Sequence, residues 1–174
     1  MRGNAKKNSL LHWRPARPDD LEAINSIGDR IHPDLVERPE IFEERFRLFP
    51  DGCMALSDGE GLAGYGLCHP WVLNSIPPLD TLLISLPSPP ECIFVHDVGI
   101  VPRARGSNSA QAYIALAVDL ARERGISALT LVSVYETQPL WERCGFHVAH
   151  ERALGEKLKS YGATAKYMLR RLAR

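Results

Sequence analysis

The sequence lacks the features of a membrane, secreted or nucleic-acid-binding protein. None of its apolar runs approaches the roughly 18 residues that a membrane-spanning helix requires. The N-terminal stretch is polar and basic and contains no apolar segment, so it does not resemble a secretory signal. Lysine and arginine total 21, as do aspartate and glutamate, so the basic excess that neutralises phosphates is missing. We therefore expect no membrane and no nucleic acid among the partners.

Cysteine is also scarce, with four residues and no C-x-x-C pair. Isolated cysteines without a signal sequence favour reduced thiols and a cytoplasmic location. Apolar residues make up 45% of the chain and charged residues 24%, which is typical of a globular protein. At 174 residues one domain is the default. We expect residues 1–9 to be a disordered lead and residues 10–174 to form a single domain.

The zero net charge conceals an uneven distribution along the chain. Residues 1–17 carry a net charge of +5, residues 18–100 of −11 and residues 101–174 of +6. This separation predicts two faces of opposite charge. The basic part would favour an anionic ligand and the acidic part a cationic one.

Hydrophobic periodicity and turn residues predict elements in the order β, α, α, β, β, β, α, β, α, β, β. The clearest helix, at 110–124, lies between apolar strands at 92–101 and 126–134, and such a unit implies a parallel crossover. Residues 74–91 hold five of the 13 prolines and predict a long surface loop. The other predicted elements are strands at 10–16, 53–57, 62–73, 146–150 and 165–172 and helices at 19–30, from Pro39 and at 138–144, with 157–162 as a connection.

The segment from Val98 to Ala110 is the most informative part of the chain. A strand runs into a loop of small residues that opens the long helix, and Arg103 and Arg105 add positive charge. A helix start offers unpaired backbone N–H groups and the positive end of the helix dipole, which suit a pyrophosphate. An ordinary loop capped by Ser107 or Ser109 explains the same pattern. The loop alone leaves both interpretations open.

This segment resembles the acyl-CoA-binding signature of the GNAT superfamily of N-acyltransferases. There a strand ends in hydrophobic-x-hydrophobic-x-Pro and is followed by R/Q-x-x-G-x-G/A at the helix start. Here Arg105 matches the first position of that motif and Ala110 the last. A second stretch, from Gln138 to Phe146, resembles the family's helix that ends in Tyr-Glu-x-x-Gly-Phe. The resemblance covers residues 92–150, and the predicted element order agrees with it.

The resemblance implies an α/β (α+β) fold, with a mixed, strongly twisted sheet of six to seven strands, helices on both faces and splayed central parallel strands. It implies acetyl-CoA as co-substrate, with the pantetheine in the gap between the strands at 92–101 and 126–134 and the pyrophosphate on the loop. The residues then expected to bind the co-substrate are Val98, Gly99, Ile100, Arg103, Arg105, Gly106, Ser107, Asn108, Ser109, Ala110, Gln138 and Trp141.

Two residues depart from the family pattern. Asn108 stands where the first glycine is expected; asparagine adopts the left-handed conformation better than most residues, but its side chain could crowd a phosphate. Trp141 replaces the tyrosine that many members place near the sulfur, and an indole N–H is not a practical acid at neutral pH. Protonation of the leaving thiolate then comes from water or from another residue, of which Tyr135 is the nearest in sequence.

Acyl transfer needs a neutral amine, so a base is expected within reach. We expect His96 to be that base, acting through water, with Asp97 as second candidate, because both lie on the strand whose end would hold the thioester. The alternative is that both are satisfied structural residues. Strand alternation places the side chains of His96 and Val98 on one face and that of Asp97 on the other, so Cys92, His96 and Asp97 predict no metal site.

The acceptor side carries weaker signals. Asp34 and Glu37, between the first two helices, either form a solvated face or attract a cationic acceptor. Trp71, before the proline-rich loop, either lines the acceptor pocket or packs in the core. The oligomeric state is open, with a homodimer as one option.

Together these features predict an N-acetyltransferase that moves an acetyl group from acetyl-CoA to a primary amine of a small molecule or peptide, by direct attack in a ternary complex. The alternative is a catalytically degenerate domain of the same fold that binds CoA or another ligand as a sensor or interaction module; Asn108 and Trp141 motivate it. A plain α/β interaction domain is a third interpretation.

Overall fold

The computed structural model describes residues 11–150 and 152–173, so the lead predicted at residues 1–9 lies outside the described residues. The strands are β1 (His12–Pro15), β2 (Cys53–Ser57), β3 (Leu62–Trp71), β4 (Cys92–Ile100), β5 (Ala128–Ser133), β6 (His147–Val148) and β7 (Lys166–Arg171). The α-helices are α1 (Leu21–Ile31), α2 (Pro39–Leu48), α3 (Ser109–Glu123), α4 (Gln138–Arg143) and α5 (Gly155–Ser160).

These strands form one mixed sheet in the order β1-β2-β3-β4-β5-β7-β6. The pair β4–β5 is parallel because α3 carries the chain from the end of β4 back to the start of β5. The other neighbouring strands are antiparallel. The predicted mixed sheet of six to seven strands with a central parallel pair is confirmed.

Helices cover both faces of the sheet, as predicted. On one face α3 packs against β4 and β5, in a core that includes Ile114 and Leu129. On the other face α1 and α2 pack against β2 and β3, in a core that includes Ile24 and Tyr65. Each fully buried side chain of this size contributes roughly 1.5–3 kcal/mol to the free energy of unfolding, so the two cores hold the central strands firmly in place.

The central parallel strands splay apart, which confirms the prediction. β4 pairs with β5 only over Ile93–Val95, opposite Leu129–Leu131. Beyond Val95, β4 stays paired with β3 as far as Ile100, and β5 stays paired with β7 as far as Ser133. Each strand therefore follows its antiparallel partner, and a gap opens between them.

The C-terminal part differs from the prediction in two places. The strand predicted at 146–150 is reduced to the two residues of β6. The connection predicted at 157–162 contains most of α5, a helix of six residues. Its Leu158 packs against a small core around Phe94 and Tyr167. Within the described ranges no helix is long and apolar enough to cross a membrane.

Candidate active site

A cavity of about 660 Å³ fills the gap between β4 and β5, a volume typical of small-molecule and cofactor sites. Its walls include Val98 and Ile100 of β4. One end is lined by residues 104–111 and by α4, and the other by the connector between α1 and α2. Because β4 has no neighbouring strand on this side, backbone groups along its edge are open to a ligand.

The loop that leads into α3 has the geometry of an anion-binding site. Gly106 and Asn108 have φ values of 76° and 60°, so Asn108 adopts the left-handed conformation that asparagine tolerates better than most residues. The backbone N–H groups of residues 106–111 have no acceptor among the described residues. They lie at the positive end of the α3 dipole, where an anion is stabilised.

The alternative interpretation of this loop, as a serine-capped helix start, does not hold. No side chain at the N-terminus of α3 makes a capping hydrogen bond. The Ser107 and Ser109 hydroxyls lie 2.6 Å apart and bond to each other, while Ser107 also donates to the carbonyl of Ala104 at 2.7 Å. The serines therefore stabilise the loop and leave its N–H groups open.

The two arginines of the loop have different surroundings. Arg105 lines the cavity, where its Nε donates to the carbonyl of Ile100 at 3.1 Å. Arg103 does not line it; its guanidinium pairs with Asp58 at 2.8 Å and donates to the carbonyl of Leu62 at 3.1 Å. Of the two, Arg105 is the one placed to meet a ligand in the cavity.

A β-bulge in β4 brings His96 and Asp97 to the same face of the sheet. Where β3 advances by one residue, from Leu67 to Cys68, β4 contains one residue more, and this extra residue is His96. Both side chains bond to residues on the α1–α2 side, whereas Val98 packs toward α3. The predictions that residues 96 and 97 point to opposite faces and that residues 96 and 98 share one are therefore wrong. Simple alternation fails because the bulge interrupts it.

The bulge residues form two histidine–carboxylate pairs with the end of α1 and the connector that follows it. Nε2 of His96 lies 2.7 Å from Oε2 of Glu37. Nε2 of His32 lies 2.8 Å from Oδ1 of Asp97, and the Tyr65 hydroxyl donates to the other oxygen of Asp97 at 2.5 Å. Except for Tyr65, all these residues line the cavity.

These contacts set the protonation of the pairs. Burial alone would raise the pKa of Glu37, but the charge and hydrogen bond of His96 outweigh it and lower the pKa to about 2. Burial alone would lower the pKa of His32, but the Asp97 carboxylate outweighs it and raises this pKa above 6.5. Burial raises the pKa of Tyr65 well above its ordinary value, so this phenol stays protonated and donates a hydrogen bond to Asp97.

The two aromatic residues considered for the leaving group both line the cavity. The indole N–H of Trp141 donates to Oγ1 of Thr137 at 3.0 Å, so it is already committed. Tyr135 is 42% exposed, has a left-handed backbone with φ of 50°, and stacks on the His32 ring with 5.7 Å between centroids. Burial raises the pKa of Tyr135, so its hydroxyl carries a proton at neutral pH.

No cysteine is placed to form an acyl intermediate. The four cysteines are free and buried, and none lines the cavity. Burial raises the pKa of Cys53 to about 12 and those of Cys68 and Cys92 to about 11, and it also raises that of Cys144. The reactive thiolate is therefore suppressed.

The proline-rich loop forms a fixed wall at the connector end of the cavity. The buried carboxylate of Glu44 accepts hydrogen bonds from the backbone N–H groups of residues 83–84, at 2.7 and 2.9 Å. Arg38 binds Asp80 through its backbone N–H at 2.8 Å and its Nε at 2.9 Å. Side chains of α2 and of the residue before it thus hold this loop.

Two further residues expected to bind the co-substrate, Gly99 and Gln138, are not among those that line the cavity. Gln138 donates to Glu142 at 2.7 Å. Gly99 backs onto the ring of Tyr65, which an added Cβ would approach to 2.5 Å. The remaining expected residues line the cavity, namely Val98, Ile100, Arg105, Gly106, Ser107, Asn108, Ser109, Ala110 and Trp141.

Of the three residues expected on the acceptor side, only Glu37 lines the cavity, and its carboxylate is held by His96. Asp34 is exposed outside it. Trp71 packs against a core cluster, with its ring edge on His69, so the packing interpretation of this tryptophan fits the structure. As for metals, no group of three or more ligating side chains occurs in the described part of the chain.

Sequence reasoning missed His32 and Tyr65. His32 follows α1 without any motif around it. Tyr65 has a signal that is visible only in retrospect: its ring lies between Gly28 and Gly99, where side chains would collide with it. The contact of Tyr65 with these two glycines depends on how α1 and β4 pack, which no local pattern encodes.

The fold and cavity define a class of protein, one whose central parallel strands splay apart beside an open helix start. A family model described as acetyltransferase (GNAT) family matches residues 18–146. The chain therefore belongs to the GNAT family of acetyltransferases, which confirms the resemblance. No curated protein matches the sequence significantly.

Solved structures share the fold at low identity. One is N-acetylglutamate synthase from Neisseria gonorrhoeae, complexed with coenzyme A and N-acetyl-glutamate, with a TM-score of 0.70 and 20% identity over 94% of this chain and 35% of that one. Ard1 from Thermoplasma volcanium has a TM-score of 0.71 and 13% identity over 95% and 99%. Arabidopsis thaliana Naa50, in complex with the bisubstrate analogue CoA-Ac-MVNAL, has a TM-score of 0.67 and 8% identity over 92% and 97%. The chain thus spans about a third of the synthase chain.

Proposed function

We propose that this protein is an N-acetyltransferase that moves the acetyl group of acetyl-CoA to a primary amine by direct attack in a ternary complex. One observation carries the proposal: a single cavity runs from the open N–H groups before α3, through the gap between β4 and β5, to the two histidine–carboxylate pairs. A thioester lying in this gap would meet an amine entering from the connector end. The buried, protonated cysteines support transfer without an acyl-enzyme.

The residues of the loop fit acetyl-CoA. An added Cβ at Gly106 would meet nothing within 4 Å, and Asn108 has a left-handed backbone, a conformation that glycine adopts freely. Backbone N–H groups of residues 106–111 would hold the pyrophosphate, and Arg105 would add charge. Backbone groups of Val98 and Ile100 would pair with the pantetheine. Bound there, acetyl-CoA supplies the thioester that the amine attacks.

The leaving thiolate has one candidate proton donor in the cavity. The Tyr135 hydroxyl carries its proton and accepts a hydrogen bond from the backbone of Asp34, whereas the Trp141 N–H is bonded to Thr137. We therefore assign Tyr135 to this role, with Trp141 as part of the wall.

The connector end favours an amine with an apolar body. Leu35, Leu79 and Phe94 line it, and its carboxylates are bonded to histidines. The arginines that line the cavity, Arg105 and Arg143, come from the loop before α3 and from α4, so the connector itself offers no guanidinium to a carboxylate on the acceptor. We therefore propose small alkyl or arylalkyl amines, or the N-terminus of an apolar peptide, as acceptors.

The direct test is release of free thiol from acetyl-CoA by the purified protein across a panel of amines. We expect release above background with apolar amines and little with free amino acids. A thermal unfolding curve with and without CoA runs in parallel, because a bound ligand at 100 times its Kd stabilises the folded state by about 2.7 kcal/mol.

The sensor alternative gains support from the bonded Trp141 N–H. Stabilisation by CoA with no thiol release for any amine would favour the sensor over the enzyme. Absence of any stabilisation would favour the plain interaction domain. A cytoplasmic location belongs to the same proposal and rests on the four free thiols.

A further inference from the structure

We propose that His32, at the end of α1, is the residue that takes the proton from the acceptor amine, and that Asp97 and Tyr65 position it. The inference rests on the proposed function and assigns one of its chemical steps. It differs from the sequence-based expectation, which placed the base on β4 at His96.

The three residues form a chain of hydrogen bonds with a defined direction. Tyr65 donates to Oδ2 of Asp97 at 2.5 Å, and Oδ1 of Asp97 lies 2.8 Å from Nε2 of His32. Because the carboxylate accepts from Nε2–H, the lone pair of a neutral His32 is at Nδ1. Nδ1 of His32 is buried and has no hydrogen-bond partner among the described residues, and the same holds for Nδ1 of His96. The ring is further held by stacking on Tyr135.

His96 has similar bonds but a different environment. Its side chain is 4% exposed, against 17% for His32. Its partner Glu37 also accepts from the backbone N–H of Asp80 at 3.1 Å, and its ring lies 6.4 Å from that of Phe94. The His96–Glu37 pair therefore joins the bulge to the proline-rich loop, and His32 is the more accessible of the two rings.

The proton balance of the step is simple. An ammonium acceptor gives one proton to Nδ1 of His32 and becomes a neutral amine. The nitrogen lone pair attacks the thioester carbon, a C–N bond forms and the C–S bond breaks. Tyr135 gives its proton to the CoA sulfur and regains the second proton that leaves the nitrogen. His32 then releases its proton to water, so each ammonium and acetyl thioester give one amide, one thiol and one proton.

The groups around His32 fix the sign of the pH dependence. Asp97 and Glu37 are acidic and favour its charged form, while Arg105 disfavours it. Tyr65 and Tyr135 also adjoin the pair. The charge of Asp97 prevails over burial and raises the pKa of His32. Since the base must be neutral, kcat should rise with pH to a plateau, and the midpoint of this rising limb should lie above pH 6.5.

The experiment compares kcat and KM over pH for the wild type, His32→Gln and the matched control His96→Gln. We expect His32→Gln to lower kcat for an alkyl amine by about 100-fold and to abolish the limb, with CoA affinity retained. An aryl amine, which is neutral already, should lose far less. We expect His96→Gln to keep the limb.

Two further variants test whether Asp97 and Tyr65 position His32 or only stabilise the fold. Asp97→Asn removes the charge that favours protonated His32, so the limb should move to lower pH. Tyr65→Phe removes a hydrogen bond that the Asp97 carboxylate accepts. Asp97 then stabilises protonated His32 more strongly, so the limb should move to higher pH. Thermal unfolding checks that each variant folds.

A limb that persists in His32→Gln, or that disappears in His96→Gln instead, would overturn the assignment while leaving the proposed function intact. Unmoved limbs in both Asp97→Asn and Tyr65→Phe would overturn it as well. No transfer by the wild type with any amine would overturn the proposed function and this step with it.

Discussion

At the scale of single residues, Glu37 is a buried carboxylate that keeps its charge because His96 lies beside it. Its pKa falls from 4.5 to about 2 on folding. A depressed carboxylate pKa adds stability that is complete above pH 4.5 and disappears as the pH falls toward 2.

We therefore expect wild-type protein to lose on the order of 2 kcal/mol more unfolding free energy than Glu37→Gln between pH 5 and pH 3. Urea unfolding at a series of pH values measures this difference. Glu40→Gln, at an exposed position of α2, is the control and should follow the wild type. If unfolding free energy varied with pH in the same way for Glu37→Gln and the wild type, the lowered pKa of Glu37 would be contradicted.

Individual residues show what a sequence can and cannot predict about a site. The left-handed Asn108 was predictable because asparagine tolerates that conformation and the loop pattern requires it. The shared face of His96 and Asp97 was not, because a bulge is a property of strand pairing and the strand's own residues do not mark it. His32 reaches Asp97 only after α1 has packed on the sheet, so no motif announces it.

At the scale of elements, the start of α3 carries the binding of the co-substrate. Asn108 precedes the helix with a φ of 60°. Asn108→Gly should keep the unfolding free energy within about 0.5 kcal/mol and bind CoA at least as tightly, since glycine adopts this conformation freely. Asn108→Val should lose about 1–2 kcal/mol and bind CoA more weakly. Equal stability of both variants would contradict the importance of this backbone conformation.

The two loop arginines offer a matched pair for the same element. Arg105 lines the cavity and Arg103 pairs with Asp58. We expect Arg105→Gln to weaken CoA binding by about tenfold, since one charge-assisted contact is lost. Calorimetric titration gives both affinities, and Arg103→Gln should change binding less than threefold. The reverse ranking would place the phosphates outside the cavity.

Elements were more predictable than their pairing. The alternating and helical patterns located β2, β4 and α3 to within one or two residues. α5 was not predicted because its six residues span fewer than two turns and, unlike the equally short α4, match no family motif. The width of the β4–β5 gap depends on each strand following its antiparallel neighbour, and the family resemblance, more than any local pattern, foretold it.

At the scale of the whole molecule, the uneven distribution of charge along the chain does not simply produce two faces of opposite charge. Many acidic residues of the middle segment are consumed in internal pairs, such as Glu37 with His96, Glu44 with Arg45 and Asp58 with Arg103. Fewer free carboxylates therefore remain to attract a cation. The difference in charge persists inside the cavity, where Arg105 lines the part near the loop and the histidine–carboxylate pairs line the part near the connector.

Following a labelled acetyl group gives the sharpest test of direct transfer between acetyl-CoA and the amine. Purified protein is mixed with acetyl-CoA labelled in the acetyl carbons and an apolar alkyl amine, and amide, free thiol and intact protein are quantified by mass spectrometry. Direct attack in a ternary complex predicts equal amounts of labelled amide and free thiol, with no label on the protein at any time. Saturable CoA binding without labelled amide for any amine, or label retained on the chain, would contradict it.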